Sequence, residues 1–472
     1  MKSEKNLSVF NPADKSLIKE IPKMSAFDIE VAVTNASIAF NQWKKESIQT
    51  KIDFLKKIAN KIRQEKETLA LILTKEQGKS LSESTIEVEF SASYFDWYAS
   101  CLLDNNDYTD PLEGGRIRQV THMPIGVCAA ITPWNFPSAM IARKVSAAVA
   151  AGCSMLVKPA PDTPLSALEY ERIFLECDAP AGLLQIIIAD AEDAAKVFFR
   201  RNQVRKISFT GSTAVGKELM TKASLQVKRL TLELGGNAPC IVLNSSDLDV
   251  AVRESFFAKF RNGGQTCIAV NRILVDEKIY DDYKQKFIEK IKKIKIGDGA
   301  IPTTTLGPLI NRSQLDKVTS LVNEAISTGA KILYDGRQDP EYLAIKDKGY
   351  FYPPMVLEGV VGAHQLWSEE IFGPVAVIYP LKLDAQDNLA TVLHHANDTK
   401  AGLAAYAFTT DQNEIKLLKE SLEFGMIGIN DCRITAAATP FGGIKESGFG
   451  IEGGFEGILE YQYTNTVISG SA

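Results

Sequence analysis

Apolar residues recur at helical spacing through the first hundred residues of the chain. Between about Phe27 and Leu102 the recurring apolar positions, with polar residues between them, are Ile29, Val33, Ile38, Ile52, Leu55, Ile58 and Ile62. A period of three to four residues predicts amphipathic helices that each pack one face against a core. The pattern therefore predicts a helical N-terminal segment.

The pattern changes between about Val127 and Leu234, where short apolar runs alternate with helical segments. The runs with the composition of strands are GVCAAIT, SMLVK, LLQIII, KISFT and RLTLEL. Apolar strands that alternate with helices are typical of a parallel sheet covered on both faces. We expect this part of the chain to have a nucleotide-binding α/β architecture.

A second α/β series begins near Gly235 and Gly236 with PCIVLN, DLDVAVRESFFAKF and RILVD. It continues through predicted helices near 279–292 and 312–328 and predicted strands near 374–380, 404–409 and 425–429. A chain of 472 residues is long enough for more than one core. The sequence therefore predicts two α/β domains.

Two further segments alternate polar and apolar residues in the manner of strands. They are GGRIRQVTHM, between Glu113 and Met123, and EYQYTNTVIS near the C-terminus. Each segment is too isolated to be stable alone as a sheet. An arm that pairs with another subunit and a plain surface hairpin fit the pattern almost equally well.

Composition and charge narrow the range of functions. The chain is 45% hydrophobic and 24% charged, and its formal net charge of -5 provides no basic field of the kind that binds nucleic acid or anionic membranes. The N-terminal MKSEKNLSVFNPADKS lacks the apolar core of a signal peptide, and no later run reaches the roughly 18 apolar residues of a membrane span. We expect a soluble, cytoplasmic protein that binds neither nucleic acid nor membranes.

The cysteines and histidines do not form a recognisable metal or disulfide pattern. Seven cysteines are scattered along the chain without a CxxC pair, and we interpret them as reduced thiols. The four histidines do not occur at zinc-binding spacing, and His394 and His395 lie in a helix-like stretch where a packed or solvated side chain is the ordinary interpretation. No metal site is expected.

Three residues are candidates for catalysis, although each has an ordinary structural interpretation. Cys267 follows a short polar loop in FRNGGQTC, whereas a lone cysteine is usually a small packed hydrophobe. Glu233 ends the strand pattern LTLELGG, where it could reach the carboxyl edge of a sheet or be simply solvated. Asn135 lies in TPWNFP, where its amide could donate to an oxyanion or only shape a turn.

Two segments are candidates for cofactor phosphates and hydroxyls. FTGSTAVGK runs from a strand through Gly211 and Ser212 into a helix, so its free N–H groups could bind a phosphate, while Ser212 could equally be a plain helix N-cap. In KPAPDTPLSAL, Lys158 ends a strand and is a cofactor contact or a solvated charge. Thr163 is predicted to cap the next helix, with Pro164 at its first position.

Together with EEIFGP and PFGGIKESGFG, these segments resemble the aldehyde dehydrogenase superfamily over nearly the whole chain. The resemblance implies a Rossmann-type cofactor domain (1–108 and 125–235), a catalytic α/β domain (236–452) and a small β oligomerisation arm (109–124 and 453–472). A homodimer or homotetramer is expected. The resemblance also implies that Cys267 attacks an aldehyde, that Asn135 and the Cys267 backbone N–H hold the oxyanion, and that Glu233 activates water against the thioester.

The same resemblance assigns a set of cofactor contacts. The residues that match them are Trp134, Lys158, Gly211, Ser212, Glu370 and Phe372, with Glu370 expected at the nicotinamide ribose. Pro161 stands where NAD-preferring relatives often have a glutamate that repels a 2′-phosphate, so NADP is expected to be accepted beside NAD. Asp190 adds an acid near the usual glycine-rich strand end and could reduce that preference for NADP.

Within the superfamily the chain resembles the succinate-semialdehyde dehydrogenases most. Arg143 and Arg261 occupy the positions where that subfamily binds the distal carboxylate, although either could be an ordinary ion pair. Thr435 replaces the serine that is the third contact. Ala269 replaces the second cysteine of many relatives, so no redox switch is expected at Cys267. Alternatives are a glutarate, general or hydroxy-aldehyde dehydrogenase, and a catalytically silent dinucleotide-binding protein.

Overall fold

The structure, a computed structural model, describes residues 5–104, 107–359, 361–383 and 388–470. The N-terminal part consists of a two-stranded hairpin and four helices. These are β1 (Asn6–Phe10), β2 (Leu17–Pro22), α1 (Ala26–Trp43), α2 (Ile48–Gln64), α3 (Lys66–Gln77) and α4 (Leu81–Cys101). The helices confirm the predicted helical segment, whereas the hairpin was not predicted.

The middle of the chain contains two outlying strands and then a regular alternation of strand and helix. In order the elements are β3 (Tyr108–Leu112), β4 (Arg116–Pro124), β5 (Val127–Ile131), α5 (Pro137–Ala151), β6 (Ser154–Lys158), α6 (Leu165–Glu176), β7 (Leu184–Ile186), α7 (Ala191–Arg200), β8 (Val204–Thr210), α8 (Thr213–Ser224) and β9 (Arg229–Glu233). The five predicted apolar runs are all strands.

The second series is equally regular. Its elements are β10 (Ala238–Val242), α9 (Leu248–Phe260), β11 (Val270–Asp276), α10 (Tyr280–Ile291), α11 (Arg312–Ser327), β12 (Lys331–Asp335), α12 (Pro340–Leu343), β13 (Met355–Glu358), α13 (Gln365–Ser368), β14 (Val375–Leu381), α14 (Asn388–Asn397), β15 (Ala401–Gly402), β16 (Ala404–Phe408), α15 (Gln412–Ser421), β17 (Met426–Ile429), β18 (Ile444–Lys445), β19 (Gly448–Phe449), α16 (Glu456–Leu459) and β20 (Gln462–Ser469). His394 and His395 lie in α14, as predicted.

The first sheet has the strand order β19-β9-β8-β5-β6-β7, in which only β19 is antiparallel to its neighbour. Its strands are apolar throughout because both faces are covered. In β6, Met155 and Val157 pack against α2, α4, α5 and α6, whereas Leu156 packs on the opposite face against α1 and α7. The chain order reverses between β5 and β8, which is where ligands bind in open α/β sheets.

The second sheet has the order β12-β13-β14-β11-β10-β16-β17, with only β12 antiparallel. A third sheet, β20-β4-β3, is antiparallel and pairs the two predicted isolated strands with each other, from Gln462 opposite Pro124 to Ser469 opposite Ile117. We call this third sheet the arm sheet. Each of the two strands therefore has its pairing partner in the same chain.

No helix in the described ranges is long and apolar enough to cross a membrane. All seven cysteines are free thiols, as predicted. The predicted cap of α6 is wrong. This helix begins at Leu165, with Pro164 as its N-cap, and the Thr163 hydroxyl is buried without a hydrogen-bond partner among the described residues.

Candidate active site

Five predicted residues lie where strands of the first sheet end. Trp134 and Asn135 follow β5, and Ser212 follows β8, so these loops flank the point at which the strand order reverses. Lys158 is the last residue of β6 and Glu233 the last residue of β9. Because the carboxyl ends of parallel strands share one edge, the sequence-predicted groups are gathered along a single edge of the sheet.

The thiol of Cys267 is positioned by a tight turn between α9 and β11. Asn262, Gly263 and Gly264 have φ values of 53°, 62° and 73°, in the left-handed region. Gly264 is required there, because a β-carbon would overlap the carbonyl oxygen of Gly373. The turn leaves Cys267 partly exposed at the wall of a cavity of about 820 Å³.

Asn135 binds the loop after β5 to the loop that carries the thiol. Its side-chain Nδ2 donates to the backbone carbonyl oxygen of Gln265 at 3.1 Å, and its backbone carbonyl oxygen accepts from Asn262 Nδ2 at 2.8 Å. The same carbonyl accepts from Lys79 Nζ at 2.7 Å. An amide nitrogen has two hydrogens, so Asn135 retains one N–H for a second acceptor.

Glu233 is buried at 2% exposure, and neither carboxylate oxygen has a hydrogen-bond partner within the described ranges. Burial raises the pKa of Glu233 well above its usual value, and the Glu452 carboxylate raises it further. The nearby cations Lys144 and Arg143 lower the pKa and only partly offset these effects. A buried carboxyl group without partners is a high-energy arrangement and a common feature of catalytic sites.

The thiol of Cys267 is also perturbed by its surroundings. Burial raises its pKa to about 12, and the carboxyl groups of Glu370 and Glu233 act in the same direction. The guanidinium groups of Arg143 and Arg261 lower the pKa but do not outweigh burial. The thiol is therefore protonated at neutral pH in the free protein.

The three predicted substrate contacts, Arg143, Arg261 and Thr435, line the same cavity as Cys267. Arg261 is stacked between two aromatic rings, with its guanidinium carbon 5.1 Å from the centroid of Phe136 and 5.7 Å from that of Phe257. It forms no ion pair with any carboxylate in the part of the chain that the structure describes. The rings hold the guanidinium without consuming its hydrogen-bond donors.

Arg143 differs from Arg261 because protein groups already engage it. Its Nε donates to the Tyr94 hydroxyl at 2.9 Å, and its Nη1 lies 3.7 Å from Glu452. Only 3% of the side chain is exposed. Arg143 thus forms an ion pair and also lines the pocket, which are the two roles that the sequence left open.

The predicted nicotinamide-ribose residue, Glu370, lies beside the glycines that follow Glu233. Its Oε1 accepts from the backbone N–H of Gly236 at 3.1 Å, and burial raises its pKa to about 7. Phe372 has a φ of 55° and meets Trp134 edge to face, with centroids 5.4 Å apart. Glu370 thus contacts the segment that follows Glu233, and Phe372 contacts the loop that follows β5.

Lys158 is the last residue of β6, and Pro161 follows three residues later. Lys158 is 6% exposed and donates to the carbonyl oxygen of Pro159 at 3.1 Å, and burial lowers its pKa. Pro161 is exposed. Asp190, the acid expected to oppose NADP, pairs with Lys23 at 2.7 Å, so part of its charge is compensated.

Ser212 is the N-cap of α8, and its hydroxyl accepts from Val215 N at 3.5 Å. The capping interpretation is therefore correct. Ser212 is nevertheless exposed, and Gly211 before it is partly exposed. The first turn of α8 thus remains accessible to an anion, as expected at a helix N-terminus.

Several residues at the site were not identified from the sequence. Lys144 bonds the Glu452 carboxylate and donates to Thr210 at 2.8 Å, in a buried cluster beside Glu233. No sequence signal joins positions 144 and 452, which are 308 residues apart. Arg433 also lines the pocket, and it could have been identified from the sequence because it lies two residues before Thr435.

Comparison with known proteins agrees with this geometry. Residues 1–467 match the sequence model of the aldehyde dehydrogenase family. The chain is similar to a mitochondrial succinate-semialdehyde dehydrogenase of Oryza sativa subsp. japonica, with 40% identity over 97% of this chain and 85% of that one. It is also similar to a probable NADP(+) succinate-semialdehyde dehydrogenase of Sinorhizobium fredii, with 41% identity over 96% and 91% of the two chains.

A solved structure gives the same result. The succinate-semialdehyde dehydrogenase of Burkholderia pseudomallei has a TM-score of 0.95 and 39% identity, and the match covers 100% of this chain and 95% of that chain. Both the sequence match and the structural match extend over nearly the full length, which confirms the predicted resemblance and fold. The chain therefore belongs to the aldehyde dehydrogenase family and is an NAD(P)-dependent oxidoreductase.

Proposed function

We propose that the chain oxidises succinate semialdehyde to succinate with NAD(P)+ through a thioester on Cys267. The observation that carries the substrate assignment is the Arg261 guanidinium, which lines the same cavity as the thiol and has no carboxylate partner within the described ranges. A guanidinium at the wall of the cavity with no carboxylate partner has its donors available for an anionic ligand. The names of the similar proteins support the same substrate class.

Cys267 is the proposed nucleophile, and the oxyanion that forms when it attacks the aldehyde is held by two donors. These donors are the remaining Asn135 amide N–H and the backbone N–H of Cys267. Donors held in place before reaction typically lower the barrier by a few kcal/mol. Asn135 is fixed from both sides by Gln265 and Asn262, so its amide need not be ordered as charge develops.

Glu233 is the proposed base that activates water against the thioester. Its two oxygens have no hydrogen-bond partner in the described ranges, so both remain available to accept from a water molecule. The raised pKa makes the ionised form a stronger base than an ordinary glutamate. The positive charges of the neighbouring Lys144 and Arg143 stabilise the ionised carboxylate.

The proposed carboxylate site combines Arg261 with Thr435 and Arg143. Arg261 provides an uncompensated guanidinium and Thr435 a hydroxyl on the same cavity wall. Arg143 contributes less, because Tyr94 and Glu452 already occupy part of its donor capacity. The aldehyde carbon then faces Cys267 while the distal acid group is held by the arginines.

The proposed dinucleotide site lies along the carboxyl edge of the first sheet. The residues proposed to hold the dinucleotide are Trp134, Lys158, Pro161, Gly211, Ser212, Glu370 and Phe372. The exposed first turn of α8 suits a phosphate, and Glu370 keeps one oxygen for ribose hydroxyls because Gly236 occupies only Oε1. NAD(P)+, when bound, supplies the hydride acceptor for the reaction. Pro161 places no negative charge at the adenosine ribose, which supports acceptance of NADP.

Domain roles, assembly and location complete the proposal. We assign cofactor binding to residues 1–108 and 125–235, catalysis to 236–452, and subunit contact to 109–124 and 453–472. The arm sheet exposes apolar side chains, Tyr108, Ile117, Tyr463, Val467 and Ile468, which suits a homodimer or homotetramer. Seven free thiols suit the reducing cytoplasm.

The test is the substrate preference of Arg261→Leu. We expect kcat/KM for succinate semialdehyde to fall by about 30- to 100-fold, the cost of one charge-assisted contact, because the acid group loses its principal cation. The rate with butanal, an uncharged aldehyde of equal length, should change by less than about threefold. An unchanged preference for the carboxylated substrate would refute the assignment.

A further inference from the structure

The outer part of the substrate pocket carries four basic side chains that the proposed reaction does not use. They are Arg253, Lys290, Lys293 and Arg433. The side chains of Arg253 and Arg433 are 55% and 52% exposed, which places them at the mouth of the cavity. The acidic residues on the wall, Glu83 and Glu87, are directed inward, since Glu87 pairs with the buried Lys79 at 2.6 Å and Glu83 accepts from Asn262 N at 2.7 Å.

Two of these cations share a single carboxylate. Arg253 Nε donates to Glu254 Oε1 at 2.9 Å, and Arg433 Nη1 bonds the other oxygen, Oε2. The Glu254 side chain is only 2% exposed, so its single negative charge is fully used by the two guanidinium groups. The Asp431 carboxylate, which accepts from the Arg433 backbone N–H at 2.7 Å and raises the pKa of Arg433, offsets the second guanidinium, so the net positive charge at the mouth comes from Lys290 and Lys293.

Arg433 is connected to the inner carboxylate site through one aromatic ring. Its guanidinium carbon lies 4.5 Å from the centroid of Phe257, and that of Arg261 lies 5.7 Å from the same centroid. The two guanidinium groups cannot be farther apart than the sum of these distances. Stacking on a shared ring fixes both groups on one wall, with one deeper and one at the mouth.

The size of the cavity exceeds the needs of a four-carbon aldehyde. Its volume of about 820 Å³ is in the range of pockets that hold drug-sized ligands. The apolar residues Phe256 and Ile86 also line it, and Ile86 is 70% exposed. The cavity therefore offers apolar wall for the methylene chain of a longer substrate as well as basic side chains for its acid group.

We infer that Arg433, supported by Arg253, forms an outer anion subsite for ω-oxo carboxylates whose acid group lies beyond the reach of Arg261. The inference rests on the proposed function, because it assumes thioester chemistry at Cys267 with the acid group left unreacted. Arg433 is thus a specificity-determining residue that extends the substrate range to six- and seven-carbon semialdehydes. Arg261 remains the partner of the shorter acids.

The experiment compares kcat/KM for ω-oxo acids of four, five, six and seven carbons in the full-length enzyme. In Arg433→Gln we expect the six- and seven-carbon rates, relative to the four-carbon rate, to fall by about three- to tenfold, a modest factor because the site is half exposed to solvent. Lys331→Gln removes an exposed positive charge from β12, at a position that does not line the pocket, and should leave the ratio unchanged. This control separates a local contact from the net charge of the surface.

A second pair of variants tests whether Arg433→Gln acts through misfolding. Arg433→Gln combined with Glu254→Gln leaves no buried carboxylate with a missing partner and should show the same fall in the ratio. Glu254→Gln alone keeps both arginines and should not lower it. If Arg433→Gln lowers all four rates equally, or none, the outer subsite is wrong. If instead Arg261→Leu keeps the four-carbon preference while Arg433→Gln loses the long-chain one, the proposed function fails and the outer subsite stands.

Discussion

Gly236 packs against Cys267 so closely that a β-carbon at position 236 would overlap the carbonyl oxygen of the cysteine. Gly236 also donates its N–H to Glu370 at 3.1 Å. The backbone that follows the proposed base therefore touches both the nucleophile and the proposed ribose contact. Gly235 and Gly236 form a spacer after Leu234 whose lack of side chains lets the two loops meet.

Gly236→Ala is expected to reduce kcat/KM by about 100-fold, since displacement of a reacting group by about 1 Å has costs of that order. The matched control is Gly235→Ala, whose β-carbon would meet only side-chain atoms, Glu370 Oε2 at 3.1 Å and Thr213 Oγ1 at 3.6 Å. We expect Gly235→Ala to act mainly on the KM for cofactor. Steady-state kinetics and a pre-steady-state burst of reduced cofactor measure the two effects. Equal losses in both variants would contradict the steric argument.

The pKa of the Cys267 thiol gives a second prediction. Because that pKa is raised to about 12, alkylation of the free enzyme by iodoacetamide should still accelerate with pH at about pH 10, without a plateau. Glu370 contributes to the shift, and with its pKa of about 7 it is ionised at about pH 9. Glu370→Gln removes that charge, which lowers the thiol pKa and should raise the alkylation rate at about pH 9 roughly threefold.

Glu369→Gln is the control for this experiment. Glu369 precedes Glu370 but is exposed, and it does not contribute to the shift of the thiol. Its alkylation rate at about pH 9, where Glu370 is ionised with or without Glu369, should equal that of the unmodified enzyme. A slower reaction in Glu370→Gln would show that the carboxylate does not oppose the thiolate.

Coenzyme choice is expected to depend on the charge at position 161. Pro161→Glu should lower the ratio of kcat/KM for NADP to that for NAD by about tenfold, because a carboxylate would repel the 2′-phosphate. Pro161→Gln has a similar size without the charge and should leave the ratio within about twofold. A fall in both variants would mean that the proline shape, and not the absence of charge, permits NADP.

The sequence predicted the elements of this fold better than their contacts. The helix expected near 312–328 is Arg312–Ser327 and the strand near 374–380 is Val375–Leu381, since periodicity is a local property. The hairpin of β1 and β2 was missed because both strands are short and mostly exposed. No local signal marks such strands.

The features that the sequence did not predict depend on contacts between segments that are distant along the chain. The candidate residues were identified through motif resemblance, yet what perturbs Glu233 is a cluster with Lys144 and Glu452, far apart in sequence. The same reason accounts for the wrong cap at α6. Thr163 had the right type and position for a cap, but the two N–H groups at the start of the helix are bound by Glu76, which lies in α3.

Glu76 from α3 therefore acts in place of an N-cap side chain at the start of α6. Glu76 is fully buried and accepts from Leu165 N at 2.7 Å and Ser166 N at 2.9 Å, so Glu76→Gln should cost about 1–3 kcal/mol of stability by leaving a buried N–H unpaired. Thr163→Val removes a hydroxyl that has no partner within the described ranges and should cost nothing, whereas loss of a true cap would cost about 1 kcal/mol. Urea midpoints for the two variants measure the difference.

The penalty for Glu76→Gln should also depend on pH. Burial raises the pKa of Glu76 from 4.5 to about 7, so the folded chain binds more protons than the unfolded chain between these values. Stability contributed by Glu76 is therefore present below pH 4.5 and is lost as pH rises through about 7. Because glutamine does not titrate, the difference between the enzyme and Glu76→Gln should be smaller at about pH 8 than at about pH 5. A difference that grows with pH would mean that the hydrogen bonds from Leu165 N, Ser166 N and the Ser166 hydroxyl outweigh burial and keep Glu76 ionised.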